Sequence, residues 1–175
     1  MKLSKHNFLN IIWTALRIWL GYQWLSAGYE KVTGTGWVGG TAGASITGFL
    51  KGAIAKAGGA HPAVQSWYAD FIKNVALPNA TTFSYLVAFG EILVGVSLIL
   101  GALTVVGLIA GAFMNLNYLL AGTTSTNPNL YTVAIILLFV GANAYTIGLD
   151  HFLIPIFKNK FHKKSEIICK TKGEL

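Results

Sequence analysis

Residues 17–31 of the chain read RIWLGYQWLSAGYEK, a stretch that places a formal charge inside an otherwise apolar run. On a helix, residues three and four positions apart share one face. Here that face holds Arg17, Gly21, Trp24, Gly28 and Lys31. An arginine in the middle of a bilayer costs at least about 2.5 kcal/mol even on the mildest scales. The face is therefore predicted to point into a helix bundle, with Glu91 as the expected partner of Arg17.

The composition is typical of a membrane protein. Of the 175 residues, 54% are hydrophobic and only 11% are charged, and the mean hydropathy is +0.58. The net charge of +7 is concentrated in a basic tail, residues 158–175, which contains six of the 13 Lys and Arg residues. We interpret this tail as a cytoplasmic flank near anionic lipid. Nucleic-acid binding is disfavoured because the aromatic residues lie in apolar runs and not among the lysines.

Four apolar segments have about the 20 residues that a helix needs to cross a bilayer. They are approximately residues 9–27, 81–100, 103–121 and 130–149. The predicted fold is all-α: an integral membrane four-helix bundle that forms a single domain over residues 1–157. The distribution of lysines places both termini in the cytoplasm and the long loop of residues 32–78 outside.

The outer loop contains two segments with a helical repeat of apolar residues. The first contains Ile46, Phe49, Leu50, Ala53, Ile54 and Ala57, and the second contains Val64, Trp67, Tyr68, Phe71, Ile72 and Val75. Two short amphipathic helices are therefore predicted to cover the outer mouth of the bundle. We expect Ile46, Phe49, Trp67 and Phe71 to pack onto it.

Glu91 lies near the middle of its apolar segment, between Gly90 and Gly95. Two interpretations are open. Glu91 forms an architectural salt bridge with Arg17, which would fix the register of two helices. Alternatively, Glu91 carries a proton or accepts a hydrogen bond from a ligand, and we favour this role because carboxylates inside membranes are usually functional.

Further polar residues are candidates for a ligand site. Asn115 shares a helical face with Tyr118 and is predicted to line a pocket, whereas Asn117 is expected to join two helices. Phe139, Asn143 and Asp150 fall on one face of the last segment. Asp150 either belongs to the site or is an interfacial carboxylate that pairs with Arg17 or a tail lysine.

The cysteine and histidine content gives no metal or haem signature. The single cysteine, Cys169, forms neither an internal disulfide nor a CxxC pair. The histidines lie at or outside the ends of the apolar runs, so no pair of haem ligands is indicated. Redox chemistry would therefore depend on a bound cofactor, a partner or the substrate.

Several stretches in this order resemble the DoxX-like membrane proteins, and more closely the DoxD type. They are RIWLGYQWLSAGYEK, WVGG, ITGFLKGAI, VQSWYADFI, LPNATTFSYLVAFGEILVGVSLILGALT, MNLNYLLAGTTSTNP and IGLDHFLIP. The resemblance extends from Trp13 to Pro155. It implies a four-helix protein of a prokaryotic plasma membrane, similar to the small subunit of thiosulfate:quinone oxidoreductase.

In that family a second subunit takes part, and thiosulfate is oxidised to tetrathionate while electrons pass to membrane quinone. Further copies of the chain are also candidate partners. The alternative function is a non-catalytic scaffold that anchors a redox or thiol-stress enzyme. A transporter is less favoured because the four spans contain no visible repeat.

A quinone site needs a flat apolar slot, hydrogen-bond donors and an acid. The candidates are Trp24, Tyr118 and Phe139 as walls, Arg17 and Asn115 as donors, and Glu91 as the acid. Arg17 and Glu91 are thus the candidate catalytic residues. Thiosulfate is expected at the outer loop, because its basic residues outnumber Glu30 and Asp70. Those basic residues are Lys31, Lys51, Lys56, Lys73 and His61.

Overall fold

A computed structural model describes residues 5–144 and 146–155, and every regular element in these ranges is helical. The α-helices are α1 (Lys5–Thr33), α2 (Ala44–Ala55), α3 (Ser66–Phe71), α4 (Ala80–Leu100), α5 (Thr104–Leu120) and α6 (Asn127–Val140). A π-helical turn, Ile72–Ala76, extends α3, and 3-10 turns lie at Gly39–Thr41 and Gly141–Ala144. A further helix begins at residue 150 and is followed to 155. The basic tail lies outside the described residues.

The prediction of an all-α protein is confirmed. Two helical segments, Ala80–Leu100 and Asn127–Ala144, are long and apolar enough to cross a membrane, and Thr104–Leu120 is apolar but shorter. The longest helix, α1, has 29 residues and therefore extends about 44 Å at 1.5 Å per residue. That all four long helices cross the bilayer stays a prediction.

The four long helices pack in a closed arrangement. α1 lies along α4, α4 and α6 both pack against α5, and α1 also contacts α6. Their shared interior contains Leu20, Trp24, Leu98, Leu108 and Leu137, all at most 2% exposed. Large apolar side chains cover the outer surface, while Arg17, Glu91, Asn115 and Asp150 are buried. Such a distribution suits a lipid solvent, because lipid favours apolar surface and disfavours exposed charge.

Three glycines fix the register between α1 and α4, because each sits where a side chain would collide with the other helix. A Cβ atom on Gly28 would lie 2.7 Å from the Ile92 backbone nitrogen, and one on Gly95 would lie 2.5 Å from that of Leu25. Similarly, a Cβ on Gly21 would lie 3.0 Å from the backbone nitrogen of Ile99. The close approach of the two backbones sets which residues of α1 and α4 stand opposite one another.

The two predicted amphipathic helices are present as α2 and as α3 with its π-helical turn; together they are called the cap. The cap buries an apolar cluster against the start of α4 and the end of α5. Its larger buried members include Ile46, Val64, Tyr68 and Ile72, each at most 7% exposed. The expectation for Trp67 is wrong, because its side chain is 59% exposed. The buried face of the helix holds Tyr68, Ile72 and Ala76, one helical turn apart, and Trp67 points away from it.

A matched pair of substitutions tests which face of the cap is buried. Ile72→Ala removes a side chain that is 1% exposed, so it should destabilise the cap by about 2–4 kcal/mol. Trp67→Ala should have a small effect by comparison. Hydrogen exchange of the amides in residues 66–76 measures the opening of the cap. Equal protection in the two variants would contradict this assignment.

The last apolar segment ends earlier than predicted. α6 stops at Val140, because Gly141 has a φ of 61° and a short 3-10 turn follows. Residues 146–149 are not helical. Phe139, Asn143 and Asp150 therefore do not share one helical face, because no continuous α-helix connects them.

Candidate ligand-binding cavity

A cavity of about 760 Å³ lies between the cap and the adjoining parts of α1, α4 and α5. Aromatic side chains from all of these parts line it, including Trp24, Trp37, Phe49, Tyr68, Phe83 and Tyr118. Its size and apolar lining are those of a pocket for a small organic ligand. The charged side chains in its wall are Glu30, Lys31 and Glu91.

Glu91 is the polar centre of this cavity. Its Oε2 atom accepts a hydrogen bond from Lys31 Nζ at 2.7 Å, and its Oε1 atom accepts one from the Tyr118 hydroxyl at 2.7 Å. The carboxylate is 2% exposed, and the Lys31 side chain is 20% exposed. Because a buried carboxylate is stable only with such partners, the three residues form one unit. We call Lys31, Glu91 and Tyr118 the polar cluster.

Each member of the polar cluster comes from a different helix. Lys31 lies in the last turn of α1, which continues beyond the predicted end of the first span. Its ammonium also lies 5.1 Å from the centre of the Trp37 ring, at the distance of a cation–π contact. Glu91 projects from α4 and Tyr118 from α5. The cluster thus joins three helices under the cap.

The cap is fastened over the cavity by polar contacts as well as by its apolar core. The Tyr68 hydroxyl donates to the side chain of Asn117 at 3.0 Å, and Lys56 Nζ donates to the carbonyl of Gly122 at 2.9 Å. Burial raises the pKa of the Tyr68 phenol, so the phenol stays a donor at neutral pH. The Phe49 ring meets the Tyr118 ring edge-on at 6.2 Å. The cap therefore forms one wall of the cavity, and this wall contacts the polar cluster through the rings of Phe49 and Tyr118.

The chain matches the DoxX family model over residues 12–124. The chain belongs to the DoxX family. The matched region runs from α1 to the end of α5 and includes the cap and the whole polar cluster. DoxX-family members are membrane proteins, as this chain is. Neither the curated proteins nor the solved structures contain a significant match to this DoxX protein.

Four residues that the sequence singled out do meet at the cavity of this DoxX protein. They are Trp24, Lys31, Glu91 and Tyr118. Trp24 is 2% exposed, and its indole nitrogen has no hydrogen-bond partner among the described residues. The face shared by Arg17, Trp24 and Lys31 does point inward, as predicted.

The predicted pair of Arg17 and Glu91 is wrong. Fourteen residues of helix separate Arg17 from Lys31, which corresponds to about 21 Å along α1, and Glu91 lies at the level of Lys31. Arg17 lies instead at the opposite end of the bundle, beside the turn between α4 and α5. There its Nη2 atom donates to the carbonyl of Ile147 at 2.7 Å and its Nη1 atom donates to the Thr104 hydroxyl at 3.4 Å.

Asp150 joins the same end of the bundle and is 4% exposed. Its carboxylate accepts hydrogen bonds from the backbone N–H groups of Leu103 and Thr104, both at 2.7 Å, and so caps the start of α5. It also acts electrostatically on the Arg17 guanidinium. Arg17 and Asp150 thus fasten the segment around residue 148 to α1 and α5, far from the cavity.

The two asparagines of α5 have the opposite placement to the predicted one. Asn117 lines the cavity, whereas Asn115 is fully buried between helices. Neither polar atom of the Asn115 side chain has a partner in the described part of the chain. Tyr118 shares the cavity with Asn117 because the cavity wraps around the end of α5 and does not follow a single helical stripe.

The remaining candidates lie away from the cavity. Phe139 is 88% exposed on the outer surface of α6, His61 is exposed in the loop before α3, and Asn143 is half-buried in the 3-10 turn. None of the three lines the cavity. Among residues 5–144 and 146–155, no group of three or more His, Cys, Asp and Glu side chains could hold a metal ion.

Several residues of the cavity wall are not evident from the sequence, among them Trp37, Tyr68 and Asn117. Trp37 belongs to the quoted WVGG stretch, in which Gly39 has a φ of 73°. Its position over Lys31 results from the loop conformation, which has no periodic signal. Tyr68 was assigned to the cap without its link to Asn117. A buried tyrosine hydroxyl usually has a hydrogen-bond partner, so a tyrosine on the buried face of the cap could have indicated a contact with a polar residue such as Asn117.

Proposed function

We propose that the protein is the membrane subunit of a DoxD-type oxidoreductase and that its cavity binds a membrane quinone. The observation that carries this proposal is the polar cluster, which places a lysine, a tyrosine hydroxyl and a carboxylate together in an aromatic cavity. A quinone ring needs apolar walls, donors for its carbonyl oxygens and a source of protons on reduction.

Each residue of the polar cluster then has a role. The Lys31 ammonium carries three N–H groups. One binds Glu91 and a second reaches the Ala27 carbonyl at 3.5 Å, so the third can donate to a quinone carbonyl. The Tyr118 hydroxyl either donates to the same quinone carbonyl or keeps its hydrogen bond to the Glu91 carboxylate. Glu91 takes up a proton when the Tyr118 hydroxyl no longer donates to it, and passes this proton to the reduced ring.

The proposed reaction balances when a second subunit supplies the electrons. Two thiosulfate ions form one S–S bond to give tetrathionate and release two electrons. The quinone takes up these two electrons and two protons and becomes a quinol. We assign thiosulfate oxidation to the second subunit, because two acidic residues and one lysine line the cavity and disfavour an anion there.

Binding tests the proposal directly. The protein in lipid nanodiscs should bind a radiolabelled quinone in a proximity assay, after subtraction of the binding to empty discs. Trp37→Ala removes a cavity wall and should weaken binding by about tenfold, whereas Trp67→Ala, on the exposed side of the cap, should not. The absence of saturable binding would contradict a quinone site and would favour the scaffold.

The proposed topology places the cap outside the membrane and Arg17 near the cytoplasmic side. A single cysteine at Lys56 should react with an impermeant maleimide in intact cells, in a background where Cys169 is replaced by serine. A cysteine at Lys5 should react only after lysis, because the lysine distribution places the N-terminus inside. Labelling at position 5 in intact cells would overturn the orientation.

A further inference from the structure

The residues that line the cavity and are also exposed form two groups, one polar and one apolar, and we place an opening of the cavity at each group. One opening lies beside the end of α1 and the loop before α6, where the lining residues are polar. They are Glu30, Ser125, Thr126 and Asn127, and all but Asn127 are exposed. We call this opening the polar mouth.

The second opening lies between α4 and α5 and is apolar. Two side chains line the cavity and are also strongly exposed on the outer surface: Leu86 of α4 at 61% and Phe113 of α5 at 66%. A residue that meets both conditions marks a place where the cavity opens outward. Both residues belong to apolar helices, so this opening faces the hydrocarbon region of the bilayer if those helices span it.

A contact between Gly90 of α4 and Met114 of α5 forms one edge of the apolar opening. A Cβ atom on Gly90 would lie 3.5 Å from the end of the Met114 side chain, which is ordinary van der Waals contact. The two helices therefore meet there through a glycine and a flexible thioether, and a larger side chain at position 90 would extend into the opening. We call Leu86, Gly90, Phe113 and Met114 the window.

We propose that the window is a lateral portal through which a lipid-soluble quinone reaches the polar cluster from the bilayer. The ring passes between α4 and α5, and its isoprenoid tail stays in the window, in contact with lipid. Water and protons reach Glu91 from the other side through the polar mouth. This inference rests on the proposed function and adds the route and the recognition of the tail.

The test compares two ligands that share one ring: a quinone with a long isoprenoid tail and the same quinone without a tail. Equilibrium binding and association rates are measured with the full chain in nanodiscs. Two variants obstruct the window separately, Gly90→Leu and Leu86→Trp, and neither replaces a residue of the polar cluster. Gly90 precedes Glu91 in the chain, but a Cβ atom at position 90 would face Met114. The matched control is Gly52→Leu, because a Cβ atom at this exposed position of α2 would meet nothing within 4 Å.

The portal predicts that both window variants weaken binding of the tailed quinone, or slow its association, by at least about tenfold. Binding of the tailless quinone should be retained, because it can use the polar mouth, and Gly52→Leu should bind both ligands as the unmodified protein does. Unchanged binding of the tailed quinone in both variants would overturn the portal, and so would an equal loss of both ligands. If the unmodified protein binds neither quinone, the proposed function itself fails.

Discussion

Replacement of Glu91 by glutamine is expected to lower quinone reduction by the assembled complex by about a hundredfold or more, the range of a lost general acid. Glutamine keeps the shape of the side chain and an oxygen that accepts from Lys31 or Tyr118. It loses the titratable proton and the negative charge. The rate should therefore fall much more than the quinone affinity, and the measurement is steady-state turnover beside equilibrium binding.

A structural role of Glu91 predicts a different result. Loss of one partner of a buried ion pair destabilises a protein by about 3–5 kcal/mol, and the value here should lie below that range because Lys31 is partly exposed. The double variant Lys31→Met with Glu91→Met removes both charges and should recover stability. If Glu91 only fastens α4 to α1, this double variant will turn over normally. We expect it to fold and to be inactive.

Tyr118→Phe separates the hydroxyl from the ring. The ring still packs against Phe49, while the hydrogen bond to Glu91 Oε1 is lost. A smaller fall in rate than for Glu91→Gln is the expected outcome, since Lys31 still holds the carboxylate.

Gly95→Leu is expected to prevent the normal assembly of the bundle. A Cβ atom at position 95 would lie 2.5 Å from the backbone nitrogen and 2.7 Å from the Cα atom of Leu25. Both are backbone atoms, so they can move only if helix α1 moves. The larger side chain must push α1 away from α4 along their whole contact. The cost should reach about 3 kcal/mol or more, at the upper end for overpacked sites.

The separation of α1 from α4 should also remove the pairing of Lys31 with Glu91. Thermal unfolding in detergent measures the stability. Gly48→Leu is the matched control, because a Cβ atom there would contact nothing within 4 Å. A normal melting temperature for Gly95→Leu would contradict the role of glycine in the register.

The sequence predicted the elements of the fold better than their register. The apolar segments and the cap have a clear period, and Arg17, Trp24 and Lys31 do share an inward face. The pairing of Arg17 with Glu91 failed because both residues lie mid-segment in the sequence. Which residues of two helices meet depends on Gly28 and Gly95, whose effect appears only when the helices are packed.

The positions of site residues could be predicted where a single helix determines them. They were harder to predict where several helices form the site together. Asn115 and Phe139 were selected by helical periodicity alone, yet the cavity wraps around the end of α5 under the cap. Asp150 was linked to the last span by the same reasoning. A positive φ at Gly141 interrupts that span, and no count of residues along an ideal helix accounts for the interruption.

Photoaffinity labelling tests the central claim, that the cavity is a quinone site, most directly. A quinone with a photoreactive group on its ring is irradiated with the protein in nanodiscs, and the modified peptides are identified by mass spectrometry. We expect labels on cavity residues such as Trp37, Phe49 and Tyr118, and we expect these labels to be lost when unlabelled quinone is added in excess. Labels that are spread over the outer surface at Leu93 and Phe139, and that excess quinone does not reduce, would contradict it.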